Sequence, residues 1–471
     1  MGDGAGRSDA RGTQAVGTAC EGAGACASGF CVDGRCCQSA CAGVCERCDL
    51  AGALGTCTAI PEGQDPAAEC AGTDAPCAGT CDGARRCRFD PTKVCDGACR
   101  TDPATGDTQA LTFRCSDDGR CNKATAATTK RCAFSRCTGS GLSANCPTTC
   151  ATAADCLPTS LCDRAEAHAS GRGTCVDPKD ILRLTDPTTD ANLNTAFGQL
   201  SATKPVLGLR PGTYTLGATL AAGKRALLIG LGAKPDDVIL RPSAAPTIDV
   251  GTNATLQLQN LAIVRPLGSP VVGNALTCDA DATHRSSVTL LETTLSGHTG
   301  KGLESSYCDV TVRRSTLHAN DGGGLALANG RFIVSDTLLY GNGTAGAGGS
   351  TTGGVSFASA TGVTFLNNTV VSNLAADGTA AGVLCSTATT QLVNSLVAAN
   401  SLNVALCTVA PSSLVAGTLG DACALTAFKP TTGVCLNDKG DNAAVAQSRL
   451  DHDNAPRIKG TKVDLGAFEV Q

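Results

Sequence analysis

The stretch VRRSTLHANDGGGLALANGRFIVSDTLLYGN, residues 312–342, contains one short pattern twice. VRRSTLHAN ends at Asn320 and VSDTLLYGN ends at Asn342, 22 residues later. The pattern extends in both directions. LLETTLSGH ends at His298, FLNNTVVSN at Asn373 and LVNSLVAAN at Asn400; LQNLAIVRP, ending at Pro266, fits one step earlier. Each copy has an apolar residue eight before the marker (Leu290, Val312, Val334, Phe365, Leu392) and another three before it (Leu295, Leu317, Leu339, Val370, Val397). The residue just before the marker is small: Gly297, Ala319, Gly341, Ser372 and Ala399. A short strand, a polar corner and a second short strand, repeated at this period, predict a parallel β-helix. One coil cannot bury its own apolar side, so stacking must turn these positions into internal rows.

The marker asparagines read as structural, because Asn tolerates turn conformations and can hydrogen-bond along a stacked row. Glu292, Arg314 and Asp336 fall at one position on successive coils with alternating sign. They read as outward cross-strand pairs, each worth about 0–1 kcal/mol if exposed.

Composition sets the limits. The chain has 471 residues, enough for two or more domains, and a net charge of −5, which disfavours a nucleic-acid partner. Tryptophan is absent and aromatics are 3%, so Val, Leu, Ile, Ala and Thr must form the core. Of the 30 cysteines, 24 lie between Cys20 and Cys175. Residues 20–176 show almost no hydrophobic periodicity, so cross-links must supply the stability that a core cannot. The cysteines Cys20, Cys26, Cys31, Cys36, Cys37, Cys41, Cys45 and Cys48 open that set and are read as disulfide-bonded. Cys45-x2-Cys48 is a lone CxxC; a structural zinc site needs four ligands, and a redox CxxC needs a βαβ setting. No metal site is expected here. The spacing of Cys20, Cys26, Cys31 and Cys36 is echoed by Cys150, Cys156, Cys162 and Cys175, which suggests a small knot at each end with irregular material between. Later in the chain, Cys278 with Cys308, Cys385 with Cys407, and Cys423 with Cys435 are expected partners from proximity.

Such cysteine usage points to an extracellular or outer-surface location. Residues 1–19, MGDGAGRSDARGTQAVGTA, hold no apolar run and read as a flexible tether without a signal sequence. No transmembrane segment is expected.

Three resemblances sharpen the picture. SGFCVDGRCCQSACAGVCERCDLAGALGTCTAIPEGQ (28–64) and CATAADCLPTSLC with GTCVD (150–162, 173–177) resemble modules of secreted and surface proteins of the myxobacterial type. NLNTAFGQL (192–200), followed by the PGTY turn at 211–214, resembles the opening of the pectin-lyase-like right-handed β-helix group, in which a helix caps the first coil. RLDHDNAPRIKGTKVDLGAFEV (449–470) is similar to the closing segment "DxDGxPRxxGxxVDIGAYE" of bacterial surface β-helix proteins labelled choice-of-anchor Q. Asp451, Asp453, Pro456, Arg457, Gly460, Val463, Asp464, Gly466, Ala467 and Glu469 match it; Asn454 stands for Gly, Leu465 for Ile and Phe468 for Tyr.

The expected fold is therefore all-β: a disulfide-knotted, irregular region at 20–176, then a right-handed parallel β-helix at 180–471 with a capping helix and a closing segment. Enzymes on this scaffold act on acidic glycans through clustered carboxylates, or through calcium with a basic residue. No such cluster stands out on the coils, although Asp249, Asp279, Asp281 and Asp309 could hold calcium if stacked. The best local cluster is His298, His318, Asn320, Asp321 and Tyr340, a candidate glycan-contact face. The expected role is structural, adhesive or glycan-binding, with a cell-surface or matrix polysaccharide or a surface protein as partner. The alternatives are a polysaccharide lyase or glycoside hydrolase, and a protein-interaction module carried on a β-helix stalk.

Overall fold

A computed structural model describes residues 12–470 except 104–105, 165–172, 347–348, 377–378, 387–389, 419–424, 427, 431–434 and 448–449. The chain forms two compact units, residues 1–147 and 148–471. No described helix is long and apolar enough to cross a membrane.

The first unit is built on cysteine pairs. Of the 19 residues expected to form a tether, 1–11 lie outside the described set, but Gln14 is paired with Cys26 and Ala19 with Arg35 on the first knot. Cys20 bonds Cys31 and Cys26 bonds Cys36, an interlaced pairing of first with third and second with fourth. The same pairing recurs in Cys37–Cys48 with Cys41–Cys57, Cys45–Cys81 with Cys70–Cys87, Cys77–Cys115 with Cys95–Cys121, and Cys99–Cys137 with Cys132–Cys146. In each quartet the third and fourth cysteines close a small hairpin. Cys31 faces Cys36, Cys81 faces Cys87 and Cys115 faces Cys121; Cys48/Cys57 and Cys137/Cys146 stand one step beyond the pairs Arg47–Thr58 and Thr138–Asn145. The material between the end knots is therefore the same unit with different loop lengths. Buried sulfurs, with Ile60 in one cluster and Phe113 in another, do the work of a core. Cross-linking loops of 10–38 residues removes much of the unfolded chain's freedom.

A sixth quartet, Cys150–Cys162 with Cys156–Cys175, belongs to the second unit. The sequence places it with the cysteine-rich region, but its contacts tie it to the solenoid. Gln257 Nε2 donates to Asp163 Oδ1 (2.6 Å), Gln259 Nε2 donates to the Cys162 carbonyl (2.8 Å), and Leu161 packs on Ile181, Val206, Leu227 and Ile229.

The rest of the second unit is a parallel β-helix. A 17-stranded and an 8-stranded sheet wind together from Ile181 to Ala416. One coil shows the plan: strands Cys308–Arg313, Thr316–His318 and Gly323–Ala328, each pairing with its equivalent on the next coil. Corners are turned by residues in the left-handed region: Arg314 (φ 47), Ala319 (φ 52) and Asn329 (φ 58). The first corner forms a row of Asn260, Glu292, Arg314, Asp336, Asn367 and Asn394, all left-handed. The second explains the small residue before each marker, because Gly, Ala or Ser relieves crowding there.

The predicted inward rows are continuous. Leu290, Val312, Val334, Phe365 and Leu392 pair in register and are buried, as are Leu295, Leu317, Leu339, Val370 and Val397. The marker asparagines form a buried ladder. Asn320 Nδ2 donates to Asn342 Oδ1 (2.9 Å), Asn342 Nδ2 to Asn373 Oδ1 (3.0 Å), and Asn373 Nδ2 to Asn400 Oδ1 (2.9 Å). Helix Asn194–Gly198 buries Ala196 and Phe197 over the first coil, and Tyr214 hydroxyl donates to the Arg210 carbonyl (2.9 Å). Cys278–Cys308 and Cys385–Cys407 form as expected; Cys423 lies outside the described residues.

The Glu292, Arg314 and Asp336 row departs from expectation. These side chains are buried, at 5%, 6% and 1% exposure. Glu292 does pair with Arg314 across coils (3.2 Å), but Arg164 of the sixth knot covers it, while Arg457 of the closing segment covers Asp336 (3.6 Å).

The closing segment is itself a hydrogen-bonded plug. Buried Asp451 accepts from the Asp453, Ala455 and Glu469 amides, Asp464 from those of Asp438 and Val470, and Glu469 from those of Lys459 and Asp464. It covers Leu338, Val371, Leu396 and Ala398. Burial, reinforced by the charge of Asp464, pushes the Glu469 carboxyl up to about 7. A carboxyl raised in the folded state contributes stability below its unfolded value, near 4.5, and loses that contribution as pH rises through about 7. Amide exchange across residues 451–470 is thus expected to speed up between pH 5 and 8, after correction for intrinsic chemistry. A corrected rate that is flat or falling in that window contradicts this.

Candidate functional site

The five residues singled out in the sequence do not share an open face. His298 and Asn320 are buried, at 1% and 0% exposure, and cannot touch a glycan. His298 takes the first rung of the ladder: its amide donates to Asn320 Oδ1 (3.2 Å), and burial pushes its imidazole down to about 4. Asp321 is exposed, its amide donating to the His298 carbonyl (2.7 Å). His318 and Tyr340 stack at 4.8 Å and 4°, but Phe428 lies against Tyr340 at 4.1 Å. With a ring against each side, Tyr340 offers no platform for a sugar. Two of the calcium candidates already have partners. Asp281 caps the turn at Thr283 and His284, Asp309 pairs with Arg285 (2.8 Å), and burial beside Asp279 raises the carboxyl of Asp249.

The structure instead assembles a groove along the left-handed corner row. It consists of two adjoining cavities of about 720 and 340 Å³ that share Ala233, Asn260, Glu292 and Asn454. Four distant segments build it. The floor comes from the coils: Gln259, Asn260, Glu292, Thr294, Arg314 and Thr316. One wall is the loop 231–235. Asp237 fixes it by accepting from the Ala233 (2.8 Å) and Lys234 (3.1 Å) amides, and Asn260 Nδ2 donates to the Gly232 carbonyl (2.7 Å). The sixth knot closes one end with Ala151–Ala154, Cys162 and Arg164. The closing segment supplies the far wall through His452, Asp453 and Asn454, with Lys429 beside it. Asn454 is left-handed (φ 63), which explains how Asn serves where the resembling segment has Gly.

Both carboxylates that line the groove are paired. Arg164 Nη1 donates to Glu292 Oε1 (2.9 Å), and Arg314 Nε and Nη2 reach the same oxygen (3.2 Å each). Asp453 pairs with Lys429 and stands 3.5 Å from His452 Nδ1; these contacts, His452 first, pull its carboxyl down to about 2. His452 Nε2 lies 2.9 Å from Thr316 Oγ1, and its ring packs against Phe468 (4.8 Å). Sequence reasoning missed this site because its parts come from segments as distant in the chain as Ala151 and Asn454. The one usable signal was the left-handed row itself, where charged residues interrupt a series of asparagines.

Glu292 holds two guanidinium groups in place, so its loss leaves both uncompensated. Glu292→Gln is expected to lower stability by about 3–5 kcal/mol, measured by denaturant unfolding of the intact chain. A loss below about 1 kcal/mol would show that the cluster behaves like an exposed pair.

A family model described as "Right handed beta helix region" matches residues 274–445. No curated protein and no solved structure matches the chain. Fourteen disulfides among the described residues and a β-helix are compatible with an extracellular protein. The second unit is a right-handed parallel β-helix carrying a groove walled by a disulfide knot and a closing segment.

Proposed function

We propose that this is an extracellular binding protein that holds a carbohydrate chain in the groove over Asn260, Glu292 and Arg314. The observation that carries the reading is the pairing of both groove carboxylates. A paired-carboxylate hydrolase needs one carboxyl protonated to act as acid and a second free to attack or to activate water. Glu292 is clamped by Arg164 and Arg314, and Asp453 is held ionised by His452 and Lys429. What remains suits recognition: hydroxyls of Thr294 and Thr316, rigid ion pairs and a backbone-lined wall, in a cleft open enough for a polymer. The rigid floor keeps the ordering cost of binding low. The polar, disulfide-stapled setting fits an adhesive or matrix role on the cell surface.

The test is a glycan array probed with the intact protein, with and without calcium, alongside Thr294→Trp. Thr294 is half-buried on the groove floor, so the indole should fill the smaller cavity without disturbing the core. Bound glycans are expected, and the variant should weaken their binding at least tenfold, about 1.4 kcal/mol. An array without hits, or binding indifferent to Thr294→Trp, overturns the proposal.

A further inference from the structure

The smaller cavity holds an arrangement that binding alone does not require. Strand Thr316–His318 presents the Thr316 hydroxyl into the groove, 2.9 Å from His452 Nε2. His452 turns its other nitrogen, Nδ1, toward Asp453 Oδ1 at 3.5 Å, and Asp453 is anchored by Lys429. His452 is held at three points: its ring lies on Phe468, its backbone amide donates to the Ala467 carbonyl (2.8 Å), and Thr316 meets the tip of its ring. A hydroxyl, a base within hydrogen-bond reach and a carboxylate orienting that base are the parts of an activated nucleophile. All of them line one open cavity, together with Lys234 and Arg314.

We propose that Thr316, His452 and Asp453 form an acyl-transfer site that hydrolyses carboxylic esters on the ligand held in the groove, such as O-acyl groups on a glycan. The ligand's identity rests on the carbohydrate reading above; the chemistry rests on these three side chains. Thr316 Oγ attacks the ester carbonyl carbon while its proton passes to His452 Nε2. The bond to the alcohol oxygen then breaks, and His452 returns the proton to that oxygen. Water next attacks the acyl–Thr316 ester, gives a proton to His452, and the threonine oxygen leaves and regains it. The products are an alcohol and a carboxylic acid, and no oxidant, reductant or metal takes part. Asp453 fixes the imidazole orientation and stabilises its protonated form. Lys234 lines the same cavity and is the positive charge proposed to stabilise the oxygen that becomes negative. Glycoside hydrolysis by a carboxylic acid–carboxylate pair does not suit this cavity, because the groove's two carboxylates, Glu292 and Asp453, are both ion-paired.

The experiment uses the intact protein and 4-nitrophenyl acetate, which needs no glycan. Expected is release of 4-nitrophenol above the buffer rate, with an initial burst and an acetyl group on Thr316 located by peptide mass spectrometry. His452→Gln and Thr316→Val should slow turnover roughly 10²–10⁴-fold, while Thr316→Ser keeps it. If Thr316→Val fails to fold, the position of the acetyl group in the wild-type protein decides instead. Hydrolysis at the buffer rate, rates indifferent to both variants, or label at residues other than Thr316 overturns the inference. Glycan binding without hydrolysis would sink the ester chemistry alone. Hydrolysis without glycan binding would sink the carbohydrate reading alone.

Discussion

A buried asparagine ladder sets the register of the solenoid. At the second corner of each coil the chain must turn inward, and a side chain there is sealed from water. Asn320, Asn342, Asn373 and Asn400 meet this constraint by donating and accepting along the axis, each also bonding a carbonyl of the preceding coil. An apolar residue would leave those carbonyls and amides unpaired, at about 1–3 kcal/mol per group. Because each rung needs its neighbour at one height, the ladder fixes coil spacing, and with it the first-corner row on which the groove is built.

The two units solve the problem of too little core in different ways. In the solenoid, stacking converts modest Leu and Val side chains into long rows. Among the described residues of 20–146 no such rows exist, and five interlaced quartets replace them with covalent links around buried sulfur. The sixth quartet bridges the two strategies. Its bonds hold Cys162 and Arg164 in the geometry that meets Gln259 and Glu292, so a disulfide knot becomes one end of the groove.

The inward rows, the ladder, the capping helix and two of the late disulfides were legible because each depends on neighbours one coil away at a steady period. The quartets were legible only at the ends, where Cys20–Cys36 and Cys150–Cys175 keep similar spacing. Between them the pairing order is the same, but loops of different length disguise it, and Cys45 of one quartet lies between Cys41 and Cys48 of another. The alternating charges of Glu292, Arg314 and Asp336 are legible in the sequence, but their burial is not. Their covers come from Arg164, 128 residues before Glu292, and from Arg457 near the end of the chain. His298 and Tyr340 looked open because periodicity gives row membership and cannot show what lies across a row. The Thr316–His452 contact joins a coil to the closing segment, a pairing that no local spacing encodes.

The central claim is that the asparagine rungs act as one coupled structure that registers the coils. A double-mutant cycle on Asn342→Ala and Asn373→Ala, read by denaturant unfolding of the intact chain, tests it most directly. The account predicts a coupling energy of about 1–3 kcal/mol, because removing one rung already strips its neighbour of a partner. Additive effects, within about 0.5 kcal/mol, would mean that the asparagines act independently and that register is set elsewhere.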